Sequence, residues 1–144
     1  MLKTRYVFLD ANIYVQYLPY YKAETLLHKL QTIKIIVCAE LLTEIERVAA
    51  YPFIINRIPI DEQANCRQYV QKILLKLTAF ADIYINQPIP LLIEEPASDP
   101  NDWYISNICT QYNCTLVTAD SDFLKWSTAP FPILTPAEFF KGLT

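Results

Sequence analysis

The chain has 144 residues, a formal net charge of −3 and 53% hydrophobic against 19% charged residues. This length suits one domain, and about two thirds of its extended surface can be buried without staples. The composition excludes intrinsic disorder, shows no basic nucleic-acid footprint in its total, and is apolar enough to suggest an extra buried face in an oligomer or against a partner.

The pass along the chain starts with a strand over 4–9, a short apolar run that stops at Asp10. A helical turn over 12–18 follows and Pro19 ends it, then a helix over 22–31 with Leu26, Leu27 and Leu30 on one side. The second strand is 34–37. The helix over 39–50 places Leu41, Ile45 and Val48 in its core stripe, with Leu42 and Ala49 beside them. Glu44 falls at the edge of that stripe. A long helix is predicted from about Asp61 to Asn86, because Leu74, Leu77, Ala81 and Tyr84 keep helical spacing. The third strand is then 91–93. A helix over 100–112, a strand over 115–117, a turn of helix over 120–125, a strand over 131–134 and a helix opening at Pro136 complete the chain. Strands alternating with helices predict an α/β domain over 1–144 with a parallel sheet covered on both faces.

Several chemistries drop out at once. The single glycine, Gly142, leaves no glycine-rich phosphate loop and no dinucleotide fingerprint. Cys38, Cys66, Cys109 and Cys114 have no zinc spacing and read as buried free thiols in a reducing cytoplasm. His28 is the only histidine and lies among leucines and a lysine, so it reads as structural. Lys3 and Arg5 lead straight into a strand, so no signal peptide is expected, and the apolar runs are too short to span a membrane.

Acids stand where strands end. Asp10 follows the first strand, Glu44 lies in the helix after the second, Asp99 and Asp102 open the helix after the third, and Asp120 and Asp122 follow the fourth. In open α/β sheets the ligand crevice lies at these carboxyl ends. Crowded carboxylates repel, and a hard oxygen-seeking cation such as Mg²⁺ or Mn²⁺ removes that cost. Helix capping competes with this reading. Asp99 before Pro100 makes a good N-cap, Asp102 sits at N3, and Asp120 and Asp10 could cap the turns that follow them. An acid-pocket phosphatase is disfavoured by Asn12, where a second acid would be needed.

Taken in order, Leu9-Asp10-Ala11-Asn12-Ile13, Glu44 within CAELLTEI, Asp99-Pro100-Asn101-Asp102, VTADSDF over 117–123 and ILTPAEFF over 133–140 resemble the PIN domain nucleases. The nearest branch holds VapC-like toxin components of bacterial toxin–antitoxin pairs. The resemblance implies a three-layer α/β/α sandwich around a central five-stranded parallel sheet. It maps the catalytic, metal-binding acids onto Asp10, Glu44, Asp102 and Asp120, with Asp122 matching a further acid of some members. Asn12 and Thr118 match supporting polar residues, and Asp99 is the accompanying cap. It further implies a cytoplasmic, Mg²⁺- or Mn²⁺-dependent endoribonuclease that cleaves single-stranded or structured RNA, forms a homodimer and is restrained by a cognate antitoxin. The chain departs from the family pattern at Ala11, Cys38, Ala119 and Ser98. Those departures carry the alternative expectation, a catalytically weak or inactive PIN-fold module that binds nucleic acid or protein. Arg47, Arg57, Lys125 and Tyr104 are the candidates to guide RNA, and Tyr17, Tyr20 and Tyr21 those for a partner surface.

Overall fold

A computed structural model describes residues 5–16, 26, 28–30, 32–50, 55–56, 60–87 and 103–142. The elements in chain order are β1 (Val7–Leu9), α1 (Ala11–Gln16), β2 (Ile36–Cys38), α2 (Ala39–Ala49), α3 (Ile60–Gln63), α4 (Cys66–Phe80), β3 (Ile83–Ile85), α5 (Trp103–Tyr112), β4 (Thr115–Val117), α6 (Ser121–Leu124), β5 (Ile133–Leu134) and α7 (Pro136–Lys141). The expected helix over 22–31 falls mostly outside the described residues, although Leu26 and Leu30 are buried. The strand expected over 91–93, Tyr17, Tyr20, Tyr21 and Arg57 also lie outside them.

All strand pairing is parallel, as the alternation of elements requires. The single five-stranded sheet is not what forms. One ladder runs β1-β4-β5 and a separate one pairs β2 with β3. In the first, Val7, Phe8 and Leu9 face Thr115, Leu116 and Val117, and Val117 continues to Leu134. In the second, Ile36, Val37 and Cys38 face Ile83, Tyr84 and Ile85. Among the described residues the two are joined by an isolated bridge between Val7 and Ile35, where the Val7 amide donates to the Lys34 carbonyl at 2.8 Å. The Ile35 amide donates to the Asp82 carboxylate at 2.8 Å and its carbonyl accepts from the Asp82 and Ile83 amides at 3.0 and 3.3 Å, so Ile35 faces β3 while Lys34 beside it faces β1.

The long helix predicted from Asp61 is interrupted and ends early. It breaks at Ala64 and Asn65, resumes as α4 and stops at Phe80, where Ala81 turns extended (φ −65°, ψ 138°). Residues 83–85, Ile-Tyr-Ile, are β-branched and aromatic, and pairing with β2 overrides the helical spacing of Ala81 and Tyr84. Leu74 and Leu77 remain on the buried face of α4 with Tyr69, Val70 and Ile73.

The core is formed by the strands and by the inward faces of α1, α2, α4 and α5. Phe8, Leu9, Ile36, Leu41, Ile45, Ile108 and Leu116 are fully buried. On α2 the buried residues are Leu41, Ile45 and Ala49, as the wheel predicted, while Val48 stays partly exposed. Helix α5 closes on Asn113, the one described non-glycine residue with positive φ (54°), and the Cys114 amide returns to the Cys109 carbonyl at 3.0 Å. That 6→1 bond satisfies a helix-end carbonyl and turns the chain directly into β4. Helix α7 begins with a capping box. The Thr135 hydroxyl accepts from the Glu138 amide at 3.1 Å, and the Glu138 carboxylate accepts from the Thr135 amide at 2.9 Å. Among the described residues no helix is long and apolar enough to cross a membrane.

The four cysteines are free. Cys38, Cys109 and Cys114 are buried and Cys66 is partly exposed. Burial pushes the Cys38 and Cys109 thiols up, which starves them of the reactive thiolate. In the native protein a thiol-specific disulfide reagent at neutral pH should therefore modify Cys66 first. The other three should react only after denaturant is added, as counted by released chromophore. Replacing Thr135 with alanine removes the α7 cap and should cost about 1 kcal/mol in urea unfolding.

Candidate functional site

Asp10 is placed by the backbone before its side chain acts. Its amide donates to the Val117 carbonyl at 3.0 Å, which extends the β1–β4 ladder by one step and brings Asp10 beside Thr118. The carboxylate is buried, only 6% exposed. Oδ1 accepts the Ala11 amide at 2.7 Å. Oδ2 accepts the Thr118 hydroxyl at 2.7 Å and lies 3.4 Å from the Asn12 amide nitrogen, which donates to it. Thr118, itself fully buried, also accepts the Asp120 amide at 3.0 Å. A chain of donors therefore runs from Asp120 through Thr118 to Asp10, and each bond polarises the next.

Asp120 ends this relay and starts another element. Its Oδ1 accepts the Asp122 amide at 2.9 Å, so the carboxylate is the N-cap of α6. The capping reading weighed for this acid is thus what the geometry displays. The Asp122 side chain is exposed, and its amide supplies the link to the site.

Glu44 lies in the middle of α2, partly buried at the edge of the core stripe. The Tyr104 hydroxyl donates to its Oε2 at 2.6 Å, and Arg47 one turn on approaches Oε1 at 4.0 Å. Tyr104 comes from the first turn of α5, and its ring meets Phe8 edge to face at 6.3 Å. Burial, and then the charge and hydrogen bond of Glu44 and the charges of Cys38 and Asp10, push the Tyr104 hydroxyl far above its ordinary range. The phenol is therefore a fixed donor, within electrostatic reach of both Glu44 and Asp10. Tyr104 stood among the candidates to guide RNA; its engagement of Glu44 crosses 60 positions of sequence and had no local signal.

Two acceptor oxygens in these elements, Asn12 Oδ1 and Glu40 Oε2, are buried without a hydrogen-bond partner. Carboxylates and an amide oxygen have the right chemistry for a hard divalent cation. Among the described residues no three His, Cys, Asp or Glu side chains converge closely enough to hold a metal ion. Asp99 and Asp102 lie outside the described residues. Of the expected site, hydrogen bonds connect Asp10, Asn12, Thr118 and Asp120, while Glu44 is bonded to Tyr104, whose ring packs on Phe8. Arg47 is spent partly on Glu44, and Lys125 is an exposed residue at the end of α6.

A separate cavity of about 470 Å³ opens between α2 and α4. Ala49, Ala50, Ile55 and Val70 line it, with Arg47 and Arg67 also on its wall and none of the three described site acids among its lining.

No family model matches the sequence, and no curated protein does. Solved structures share its fold. FitAB bound to the IR36 DNA fragment superposes with a TM-score of 0.60 at 16% identity, covering 90% of this chain and 94% of that one. VapBC2 from Rickettsia felis, bound to a DNA fragment from its promoter, gives 0.56 at 14% identity, covering 90% and 98%. At such identities the likeness is one of fold.

The Thr118 hydroxyl makes one of the two shortest bonds to Asp10 and also receives the Asp120 amide. Thr118→Val keeps the side-chain shape and removes both bonds. It should destabilise the protein by about 1–3 kcal/mol in denaturant unfolding, whereas a surface Thr43→Val should change little.

Proposed function

We propose that residues 1–144 form one PIN-fold domain that works as a binding module in a toxin–antitoxin type of assembly, with a catalytically weak acid rim. The observation that carries this reading is the engagement of the rim by the chain itself. Glu44 is claimed by Tyr104 at 2.6 Å and Asp120 by the N-terminus of α6. A carboxylate committed in this way has fewer lone pairs and less freedom to meet a cation or a substrate phosphate.

The partner fits protein better than nucleic acid. The net charge is −3, and single-strand binding at a phosphate backbone draws on clustered lysine and arginine. The cavity between α2 and α4 offers apolar walls flanked by Arg47, Arg67 and Glu46, which suits an apolar side chain within a polar rim of both signs. Ile60 and Leu75 stand 87% and 72% exposed on α3 and α4. The two solved structures of like fold, FitAB and VapBC2, are each bound to DNA fragments. By that likeness, and by the sequence resemblance, the partner is an antitoxin and the assembly sits on its promoter.

A second reading keeps the rim as a Mg²⁺- or Mn²⁺-dependent endoribonuclease. Asn12 Oδ1 favours it, since a buried oxygen without a partner beside Asp10 is open to a cation or its water. In that reading Asp10, Glu44, Asp102 and Asp120 hold the cation, Asp122 adds to them, and the cation supplies an activated water and charge for the phosphate.

One assay separates the two. Purified wild type and Asp10→Asn are incubated with single-stranded RNA and Mn²⁺, with and without EDTA. The binding reading expects both proteins to leave the RNA equally intact. Cleavage by the wild type that EDTA and Asp10→Asn both abolish would replace it with the ribonuclease.

A further inference from the structure

We infer that Tyr104 is a latch on the acid rim: its hydroxyl, bonded to Glu44, keeps that carboxylate from joining Asp10 around a divalent cation. The inference rests on the reading of the rim as catalytically weak, and it names the residue responsible.

The bond has the properties a latch needs. At 2.6 Å it lies in the short range of hydroxyl-to-carboxylate bonds, which are roughly twice as strong as neutral ones. The ring is also anchored. It packs edge to face on Phe8, which is fully buried in β1 two residues before Asp10. The same strand that sets Asp10 thus backs the residue that holds Glu44.

The competing restraint on Glu44 is weaker. Arg47 approaches at 4.0 Å, and its side chain is 61% exposed, so solvent screens the pair. The hydroxyl is the shorter contact and the better shielded one. Glu44 also stands on a helix that packs against α1, the helix that begins directly after Asp10. Once freed, its carboxylate belongs to an element that packs against the helix following Asp10.

An outer partner of a carboxylate can act in the opposite sense, by orienting it toward a metal, and its loss then weakens binding about 10–100-fold. The sign of the effect is what the experiment reads. Tyr104→Phe keeps the ring and its contact with Phe8 and removes only the hydroxyl. Mn²⁺ affinity is measured by isothermal titration calorimetry on wild type, Tyr104→Phe and Tyr104→Phe/Glu44→Gln, with folding checked by circular dichroism. The latch predicts that Tyr104→Phe binds Mn²⁺ about tenfold tighter or more than the wild type, and that the double variant loses the gain. A folded Tyr104→Phe that binds Mn²⁺ equally or more weakly overturns it, as does a gain that survives Glu44→Gln.

Should Tyr104→Phe not fold, Tyr104→Leu makes the same comparison. It removes the hydroxyl, keeps an apolar side chain beside Phe8 and leaves Glu44 unchanged. Tighter Mn²⁺ binding than wild type supports the latch, and equal or weaker binding overturns it. Mn²⁺-dependent RNA cleavage by the wild type ends the reading of a weak rim. A Tyr104→Phe affinity no better than wild type ends the latch alone.

Discussion

The buried hydrogen bond from Thr118 to Asp10 is the constraint on which the rim depends. A carboxylate only 6% exposed cannot stand among apolar strands without donors. Thr118 provides one at 2.7 Å from the end of the neighbouring strand, and the Ala11 amide provides another from the start of α1. The parallel register places the partners. Leu9 faces Val117, so the next residue of each strand, Asp10 and Thr118, must also meet. Fold and site share this origin: three paired residues of ladder set the position of the acid.

The rest of the rim follows a different logic. Asp120 reaches Asp10 through the Thr118 hydroxyl but spends its own carboxylate on the N-terminus of α6. Glu44 accepts the Tyr104 hydroxyl. The same acids that look like ligands in the linear sequence are here acceptors for the protein's own donors. Outer contacts of this kind can tune a metal site or close it, and the difference lies in which oxygen they occupy and how firmly.

What the sequence discloses is mostly what local chemistry determines. The strand over 115–117 was legible residue for residue, because a short apolar run is bounded there by Asn113 and Asp120. The start of α7 was equally plain, since Pro136 follows a capping threonine. Asp10 stood out because the first apolar run breaks there, whereas Asn12 and Thr118 were singled out only by the resemblance to PIN domain nucleases. β3 was missed because Ala81 and Tyr84 extend the spacing of Leu74 and Leu77, and only pairing with Ile36–Cys38 overrides it. The division of the sheet was hidden for a related reason: strand pairing is decided between residues far apart in sequence. The Tyr104–Glu44 contact joins two helices far apart in sequence, and no periodicity reports it.

The seam between the two ladders gives the rim an unusual mechanical footing. Asp10, Thr118 and Asp120 sit at the end of the three-stranded sheet, whereas Glu44 belongs to the helix that continues β2 in the two-stranded one. Among the described residues a single bridge at Val7 and Ile35 joins those sheets. The two groups of acids therefore stand on separate ladders rather than on one continuous row of amides. Sliding along that seam would cost the Val7–Lys34 bond and leave the pairs within each ladder intact.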